Sequence, residues 1–313
     1  MPRCLSSWFR PLIVLLLLSG ALTARAFELT PTPVADGVYA LIGPTGARSY
    51  DNHGLNNNLG FVVTDAGVVL VDSGASSQGA ALVAAAIRRV TDQPVRWVIN
   101  TGSQDHRWLG NGYFADQGAQ LIALQRTVDT QRAFGAQHLS TLEPVLKDRL
   151  TGTRPVTAAA PLPGPREPLT LGGVAFELID LGDAHFPGDA VLWLPRQRVL
   201  FTGDLVYVDR LLGVLPESHV QSWRDAFRAM EDLEPHVLVP GHGQVCDLAK
   251  ARRDTGDYLD WLVTEVGTAQ ANWEPIDEVV ARLADASRFS HLDNFAELHR
   301  SNINRAYLDF ERR

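Results

Sequence analysis

The sequence predicts an α/β fold, a four-layer αββα sandwich, from three observations. Short apolar runs alternate with turn residues and one-sided helical segments, which is typical of layered α/β proteins. This order occurs twice, on either side of a proline-rich connection at residues 151–168. Aspartate and histidine residues follow several predicted strands, where loops on a rigid scaffold usually present ligands. Two sheets with helices outside each would account for all three.

The first half of the chain contains five apolar runs that predict strands. They lie at 38–42, 59–63, 68–71, 95–99 and 121–124. Residues 76–90 carry apolar side chains on one side only, which predicts a helix that packs on a sheet. Residues 125–150 predict a longer polar helix, and we expect it to break near Gly135 and Pro144.

The second half of the chain shows the same alternation of predicted strands and helices. Strands are predicted at 174–181, 190–194, 198–201 and 237–239. Ser222 and Asp225 have the spacing of a capping box and predict the start of a helix. We expect residues 27–313 to form a single domain, with a helical tail from about residue 247.

Residues 1–26 have the pattern of a secretory signal peptide. Arg3 and Arg10 give a basic start, residues 12–18 an apolar core, and Ala24-Arg25-Ala26 a small-residue cleavage site. The apolar core is too short to span a bilayer, and no later run is long enough. We therefore expect export to the periplasm or the medium without an integral membrane segment. An uncleaved anchor is the alternative.

The net charge of the mature chain indicates which classes of partner it binds. Losing three arginines with the signal leaves 25 basic residues against 36 acidic ones, a net charge of −11 with neutral histidines. No basic patch is present, which argues against nucleic acid and favours a small-molecule substrate. Cys4 leaves with the signal, so Cys246 has no internal disulfide partner. The oligomeric state stays open.

Four predicted strand ends carry histidine or aspartate. They are Asp105-His106, Gly182-Asp183-Ala184-His185, Gly203-Asp204 and Gly241-His242-Gly243. A single Asp-His pair would be explained better by capping and packing. Four such ends in one chain indicate a shared metal site, because imidazole and carboxylate are common zinc ligands.

At these motifs the chain resembles the metallo-β-lactamase fold hydrolases. That family shows Asn-Thr-His-x-His-x-Asp-His-x-x-Gly-Asn, then Gly-x-x-His-Thr-x-Gly, Gly-Asp and Gly-His-Gly in this order. Residues 70–74, Leu-Val-Asp-Ser-Gly, are similar to its early Asp-x-Gly turn. Through Asn302-Ile303 and Tyr307 the tail is loosely similar to exported zinc metallohydrolases associated with quinoprotein relay and sulfur oxidation. The resemblance implies the αββα architecture.

The chain departs from the family at the His-x-His pair. Aligned on Asp105-His106, the two histidine positions fall on Thr101 and Ser103. Aligned on Asn100-Thr101, the first of them falls on Gly102 and the loop is one residue short. Both imidazoles are missing in either alignment.

The resemblance implies a metal-ligand set. Carried over by motif, the second metal site of the family is complete, and the first retains one histidine and a share of the bridging carboxylate. The implied metal ligands are Asp105, His106, Asp204, His242 and, from the first site, His185. Because so few ligands of the first site remain, we expect one metal ion, zinc, although mixed His/Asp ligation also suits iron and manganese.

The resemblance also implies roles around the metal. Asp72 would orient metal ligands by hydrogen bonding, with a simple turn residue as the alternative. His53 and Asn57 lie in a loop at 43–58 that borders the family's active-site mouth, so they would touch substrate unless they only serve the turn.

We therefore expect a metal-dependent hydrolase that attacks a carbonyl-type ester, thioester, lactone or lactam with metal-bound hydroxide. Asp105 and His185 are assigned catalytic roles, and His185 would donate a proton to the leaving group or hold the oxyanion. A binding or accessory protein that keeps the fold without the chemistry is the alternative. A thiol enzyme using Cys246 is a third, weaker one.

Overall fold

The computed structural model describes residues 27–312, so the predicted signal peptide lies outside the described residues. Two β-sheets pack face to face, and helices cover the outer face of each. The first sheet has the order β1-β2-β3-β4-β5-β6, antiparallel up to β4 and parallel from β4 to β6. Its strands are β1 (Pro31–Ala35), β2 (Val38–Leu41), β3 (Leu59–Thr64), β4 (Gly67–Val71), β5 (Val95–Ile99) and β6 (Gln120–Ile122).

The second sheet has the order β11-β10-β9-β8-β7. Only the pair β10 and β11 is parallel. Its strands are β7 (Arg166–Leu171), β8 (Val174–Ile179), β9 (Val191–Leu194), β10 (Val199–Tyr207) and β11 (Val237–His242). The predicted αββα sandwich is confirmed.

The helices lie outside the two sheets. In the first half they are α1 (Ser77–Arg88), α2 (Asp105–Trp108), α3 (Asn111–Ala115) and α4 (Gln125–Leu146), followed by a 3₁₀ turn at Lys147–Leu150. In the second half they are α5 (Val220–Glu231), α6 (Leu248–Ala251), α7 (Asp257–Trp261), α8 (Gly267–Ala271), α9 (Ile276–Arg282) and α10 (Phe295–Glu311). Two π-helical segments, Arg252–Gly256 and Leu262–Val266, join α6, α7 and α8, and a 3₁₀ turn at Ser287–Phe289 precedes α10.

Apolar side chains form three principal layers of core. The layer between the sheets is built from the inward faces of both, including Val69 and Ile99 from the first and Leu192 and Phe201 from the second. A second layer joins the outer face of the first sheet to α1. The third joins the second sheet to α5 and the C-terminal helices. Within residues 27–312, no helix is both long and apolar enough to cross a membrane.

Two strands of the structure, β1 and β7, are not predicted by the sequence pattern. Both are edge strands, and both contain proline, which cannot donate to a strand ladder and is tolerated at a sheet edge. Pro168 lies within β7, so the proline-rich connection ends in a strand rather than continuing to residue 168.

Two helix predictions are wrong in detail. Helix α4 runs through Gly135 without a break, whereas it ends at Leu146, two residues after Pro144, and gives way to the 3₁₀ turn. A side chain at Gly135 would approach Trp108 to 3.2 Å and Pro155 to 3.3 Å, so this glycine allows close packing rather than a turn. Helix α5 begins at Val220, not at the predicted capping box, because the carboxylate of Asp309 accepts the Val220 N–H at 2.9 Å.

Candidate metal centre

The candidate site lies at one edge of the sandwich. Strands β4 and β5 are parallel, as are β10 and β11, so the carboxyl ends within each pair lie together. Asp72 follows β4, the loop that carries Asp105 and His106 follows β5, and His242 ends β11. The register of β10 shifts twice between Phe201 and Tyr207, and such bulges redirect side chains. Asp204 lies within this irregular part of the strand.

Three buried side chains converge at this edge. His106, Asp204 and His242 each offer a ligand atom, and the three atoms lie within 4.8 Å of one another. Two imidazoles and one carboxylate are a common set for a catalytic zinc site, which keeps a fourth position open. This is the one such group of three or more metal-ligating side chains among residues 27–312.

The hydrogen bonds of the two histidines fit a cation between them. His242 Nδ1 lies 2.9 Å from the carbonyl oxygen of Asn56, which only accepts, so Nδ1 carries the proton. The other nitrogen, Nε2, then presents a lone pair 3.4 Å from Asp204 Oδ1. His106 lies between two carboxylates, with Nδ1 3.1 Å from Asp105 Oδ1 and Nε2 2.9 Å from Asp204 Oδ2. Lone pairs that face a carboxylate require a cation or an additional proton.

Asp105 lies outside this group of three. Its carboxylate accepts from Arg48 and from the N–H of His106, and it contacts the His106 ring. Burial opposes ionisation of Asp105, but Arg48 and His106 outweigh it and hold the pKa below the usual range. Asp105 is placed to orient His106, and its assignment as a metal ligand stays a prediction.

His185 lies beside the group but does not join it. Its Nε2 is 3.1 Å from Oε1 of Gln104, and its ring packs against those of Tyr207 and Trp223. Burial lowers the pKa of His185 to about 4 despite the nearby charge of Asp204. The imidazole is therefore neutral at pH 7, which favours a hydrogen-bond donor over an imidazolium acid.

The residue that the sequence analysis missed is Arg107. Its side chain is 1% exposed, and its guanidinium lies between Asp204 and Asp72. Nε donates to Asp204 Oδ2 at 3.1 Å, Nη2 donates to Asp204 Oδ1, and Nη1 donates to Asp72 Oδ2 at 3.1 Å and to the carbonyl of Asn58 at 2.9 Å. A fixed positive charge thus lies directly behind the candidate metal ligands.

The charges of this cluster are interdependent. Burial disfavours the ionised form of Asp204, but Arg107 and His106 overcome it and hold the pKa well below the usual value. For Asp72 burial wins over Arg107 and Thr101, and the pKa is raised. Burial lowers the pKa of His242 to about 3, so this imidazole is neutral and free to act as a ligand.

The two positions that replace the His-x-His pair are occupied by other interactions. Asp72 accepts the Thr101 N–H at 2.7 Å and the Thr101 hydroxyl at 2.6 Å. The Ser103 hydroxyl donates to the carbonyl of Pro187. Asp72 thus orients Thr101 and Arg107, and these hydrogen bonds leave neither hydroxyl directed at the three-residue group.

A cavity of about 160 Å³ opens onto the group. It is lined by Arg48, Asn56, Gln104, His106, His185, Tyr207, Arg210, Gly213, Leu215, His242 and Leu298. The loop at 43–58 contributes Arg48 and Asn56. Asn57 is buried instead and donates to the backbone carbonyl of His106 at 3.2 Å. His53 does not line the cavity, so substrate contacts by His53 and Asn57 stay predictions.

Cys246 does not line this cavity either. It is buried, and burial raises the pKa of its thiol to about 12. A nucleophilic cysteine needs a thiolate near neutral pH, so these surroundings argue against a thiol enzyme.

Sequence comparison places this site in a known family. The sequence model of the Metallo-beta-lactamase superfamily matches residues 54–242, which include every candidate ligand. The chain is 26% identical over 229 residues to the 2,4-dinitroanisole O-demethylase subunit alpha of Nocardioides sp. (strain JS1661), covering 72% of this chain and 63% of that protein. It is 25% identical over 240 residues to the metallo-beta-lactamase IND-1 of Chryseobacterium indologenes, covering 74% of this chain and 90% of that enzyme.

Solved structures share the fold. A metallo-beta-lactamase from Pontibacter korlensis superposes with a TM-score of 0.59 at 23% identity, covering 74% of this chain and 99% of that one. The inverting sec-alkylsulfatase Pisa1 from Pseudomonas sp. reaches 0.72 at 15% identity, covering 89% of this chain and 50% of that one. The family match over more than half of the sequence, together with the two-sheet fold, shows that this chain belongs to the metallo-beta-lactamase superfamily.

Proposed function

We propose that this chain is an exported metal-dependent hydrolase that binds one zinc ion. The observation that carries the proposal is the convergence of His106, Asp204 and His242, with each histidine directing Nε2 at the same carboxylate. The proposal includes residues 27–313 as one domain, preceded by a cleaved signal peptide. Its substrate is a small molecule with an ester, thioester, lactone or lactam bond.

His106, Asp204 and His242 would hold the metal, and the remaining residues would position it. When bound, a zinc ion lowers the pKa of its water to about 7 and polarises a carbonyl. Asp105 orients His106, and the carbonyl of Asn56 orients His242. His185, as a neutral donor on the cavity wall, is placed to hydrogen bond to an oxygen that gains charge during the reaction.

The test is metal content with matched variants. We expect purified protein to bind about one zinc ion per chain, measured by elemental analysis and by titration against a chelating dye. His242→Ala should lower the affinity at least tenfold. His236→Ala, which removes an exposed histidine of the same half, should bind zinc like the wild type. Equal zinc binding by His242→Ala and wild type would contradict the proposed site.

A second function is favoured by one observation. Both oxygens of Asp204 already accept hydrogen bonds from Arg107, so its charge is compensated without a metal. A binding or accessory protein that has lost the chemistry would show this arrangement too. Protein incubated with zinc is analysed for bound metal and assayed against thioester, lactone and β-lactam chromogens, which distinguishes the hydrolase from the binding protein. Absence of both bound metal and turnover supports the binding protein.

A further inference from the structure

The family resemblance implies Asp105 as a metal ligand, yet both of its carboxylate oxygens have other partners. Oδ1 accepts the N–H of His106 at 2.7 Å and lies 3.1 Å from Nδ1 of the same ring. Oδ2 accepts from the guanidinium of Arg48. Asp105 therefore contacts the ring nitrogen of His106 that does not face Asp204, and its second oxygen is held by an arginine.

A buried asparagine fixes the backbone on both sides of Arg48. The Asn52 side chain, 7% exposed, donates to the carbonyl of Ala47 at 3.1 Å and accepts the Ser49 N–H at 2.9 Å. Side-chain hydrogen bonds of this kind to nearby backbone groups stabilise turns. The loop at 43–58 therefore presents Arg48 from an ordered turn, and the pairing with the carboxylate is part of the loop's own structure.

Two further hydrogen bonds fix this loop. The buried Asn56 side chain donates to the carbonyl of Gly46 at 3.1 Å, while its backbone carbonyl faces His242 Nδ1 at 2.9 Å. The Asn294 side chain, directly before α10, donates to the carbonyl of Thr45 at 3.0 Å. The turn that presents the arginine is thus connected both to a candidate metal ligand and to the C-terminal helix.

The carboxylate of Asp105 requires a cation. Its side chain is only 4% exposed, whereas that of Arg48 is 26% exposed, so the pair lies at the border between protein and solvent. Removing the arginine would leave a buried negative charge without its partner, which is unfavourable. A divalent cation at the three-residue group would be the nearest replacement, because a carboxylate oxygen is a good zinc ligand.

We propose that Arg48 keeps Asp105 out of the coordination sphere of the metal, so that Asp105 acts on the metal only through His106. This inference deepens the proposed function, on which it rests for a metal held by three protein ligands. A catalytic zinc site needs an open position, and a fourth protein ligand would occupy it. Arg48 is thus a positioning residue that preserves the open position.

The test measures zinc affinity rather than turnover. EDTA-treated mature protein is titrated with zinc in competition with a chelating dye. We expect Arg48→Gln to bind zinc about tenfold more tightly than the wild type, because the released carboxylate adds a charged ligand. Arg48→Lys should show a smaller gain, since lysine keeps the charge without the guanidinium geometry. Arg154→Gln is the control, because it removes an arginine from an exposed pair with Asp116, and it should match the wild type.

A second substitution shows whether the gain depends on Asp105. Asp105→Asn keeps an acceptor oxygen for His106 but removes the carboxylate charge. In this background, Arg48→Gln should change zinc affinity by less than about twofold. Cobalt-loaded protein gives a spectroscopic readout of the ligand set: the visible absorption of Arg48→Gln should differ from that of the wild type, and adding Asp105→Asn should remove the difference.

Two outcomes would overturn the inference while leaving the proposed metal site intact. One is zinc binding by Arg48→Gln no tighter than by the wild type. The other is an equal gain with and without Asp105→Asn, which would show that Arg48 only repels the metal. Thermal unfolding shows whether Arg48→Gln is folded; if it is not, wild-type zinc affinity in Arg48→Lys decides against the inference. Absence of zinc binding in the wild type and in every variant would instead refute the proposed function, and the inference with it.

Discussion

Arg107 determines how the candidate site holds its charges. It lies between Asp204 and Asp72, both buried, and no other arginine or lysine donates to these two carboxylates in the described part of the chain. Removing one partner of a buried ion pair is far more destabilising than replacing the whole pair by apolar residues. We therefore expect Arg107, at the centre of the candidate site, to contribute to the stability of the fold.

Replacing Arg107 by methionine tests this role. We expect Arg107→Met to lower the free energy of unfolding by about 3 to 5 kcal/mol, because Asp204 loses its buried counter-charge. Zinc should restore part of that loss, since a divalent cation would then neutralise Asp204. Urea unfolding with and without zinc measures both effects.

The matched variant is Arg107→Lys, which keeps a positive charge but cannot bridge two carboxylates in the same geometry. It should lose less stability than Arg107→Met. Equal stability of Arg107→Met and the wild type in EDTA would refute the role assigned to this guanidinium.

Sequence reasoning identified His106, Asp204, His185 and His242 at the edge where the structure places them, since each follows or ends a predicted strand. It missed Arg107 because all four residues of α2 are buried and the partners of this guanidinium, Asp72 and Asp204, lie 35 and 97 residues away in the sequence. One signal was present in the chain: two aspartates remain, Asp72 and Asp204, after two metal-binding histidines are lost. Such carboxylates need another cation.

At the scale of elements, the close contact between β10 and β11 positions the site. Gly241 lies where a Cβ would come within 2.5 Å of the Gly203 carbonyl oxygen and 2.6 Å of both Arg107 Nη2 and Asp204 Oδ1. Glycine is therefore required for steric reasons in the Gly-His-Gly motif. Here the motif reflects packing as well as chemistry.

Gly241→Ala should displace the neighbouring backbone and the Arg107 pair, and it should cost about 1 to 3 kcal/mol of stability. Zinc affinity should fall with it, since His242 is the next residue. Chemical unfolding and a zinc titration check both quantities. Gly46→Ala is the control, because a Cβ there would meet nothing within 4 Å. A Gly241→Ala protein as stable as Gly46→Ala would contradict the steric account.

The predictable elements are those whose own residues carry the pattern. Strand β5 was predicted with its observed bounds, because four of the five residues of Val95–Ile99 are apolar and turn signals flank them. The start of α5 was not, because its cap comes from Asp309, 89 residues away in the sequence. Strands β1 and β7 were not predicted because both contain proline, which is tolerated at a sheet edge but is otherwise typical of a loop.

Across the whole molecule, the C-terminal helix reaches back to the cavity. Asn302 of α10 accepts the Val214 N–H at 2.8 Å and donates to the Leu212 carbonyl at 2.7 Å, and Gly213 and Leu215 in this loop line the cavity. Leu298 of the same helix lines it directly. The tail predicted from about residue 247 thus contributes to the candidate site.

Asn302→Ala tests this connection. We expect a loss of about 1 to 3 kcal/mol, because the Val214 N–H and the Leu212 carbonyl lose a buried partner. For any substrate found, KM should rise more than kcat falls, since the loop shapes the cavity without supplying a metal ligand. Asn272→Ala, at an exposed position, should change stability by less than about 0.5 kcal/mol. Identical KM values for the two variants would show that the C-terminal helix does not shape the cavity.

The guanidinium of Arg107 gives this chain an independence that many metalloproteins lack. Where acidic ligands have no internal counterion, folding waits for the ion, and chelators cause the chain to unfold. Here a permanent cation belongs to the polypeptide itself, so under the proposed function the chain would fold before, and independently of, metal binding. A shortage of metal would then abolish the proposed metal-dependent activity while leaving the amount of folded protein unchanged.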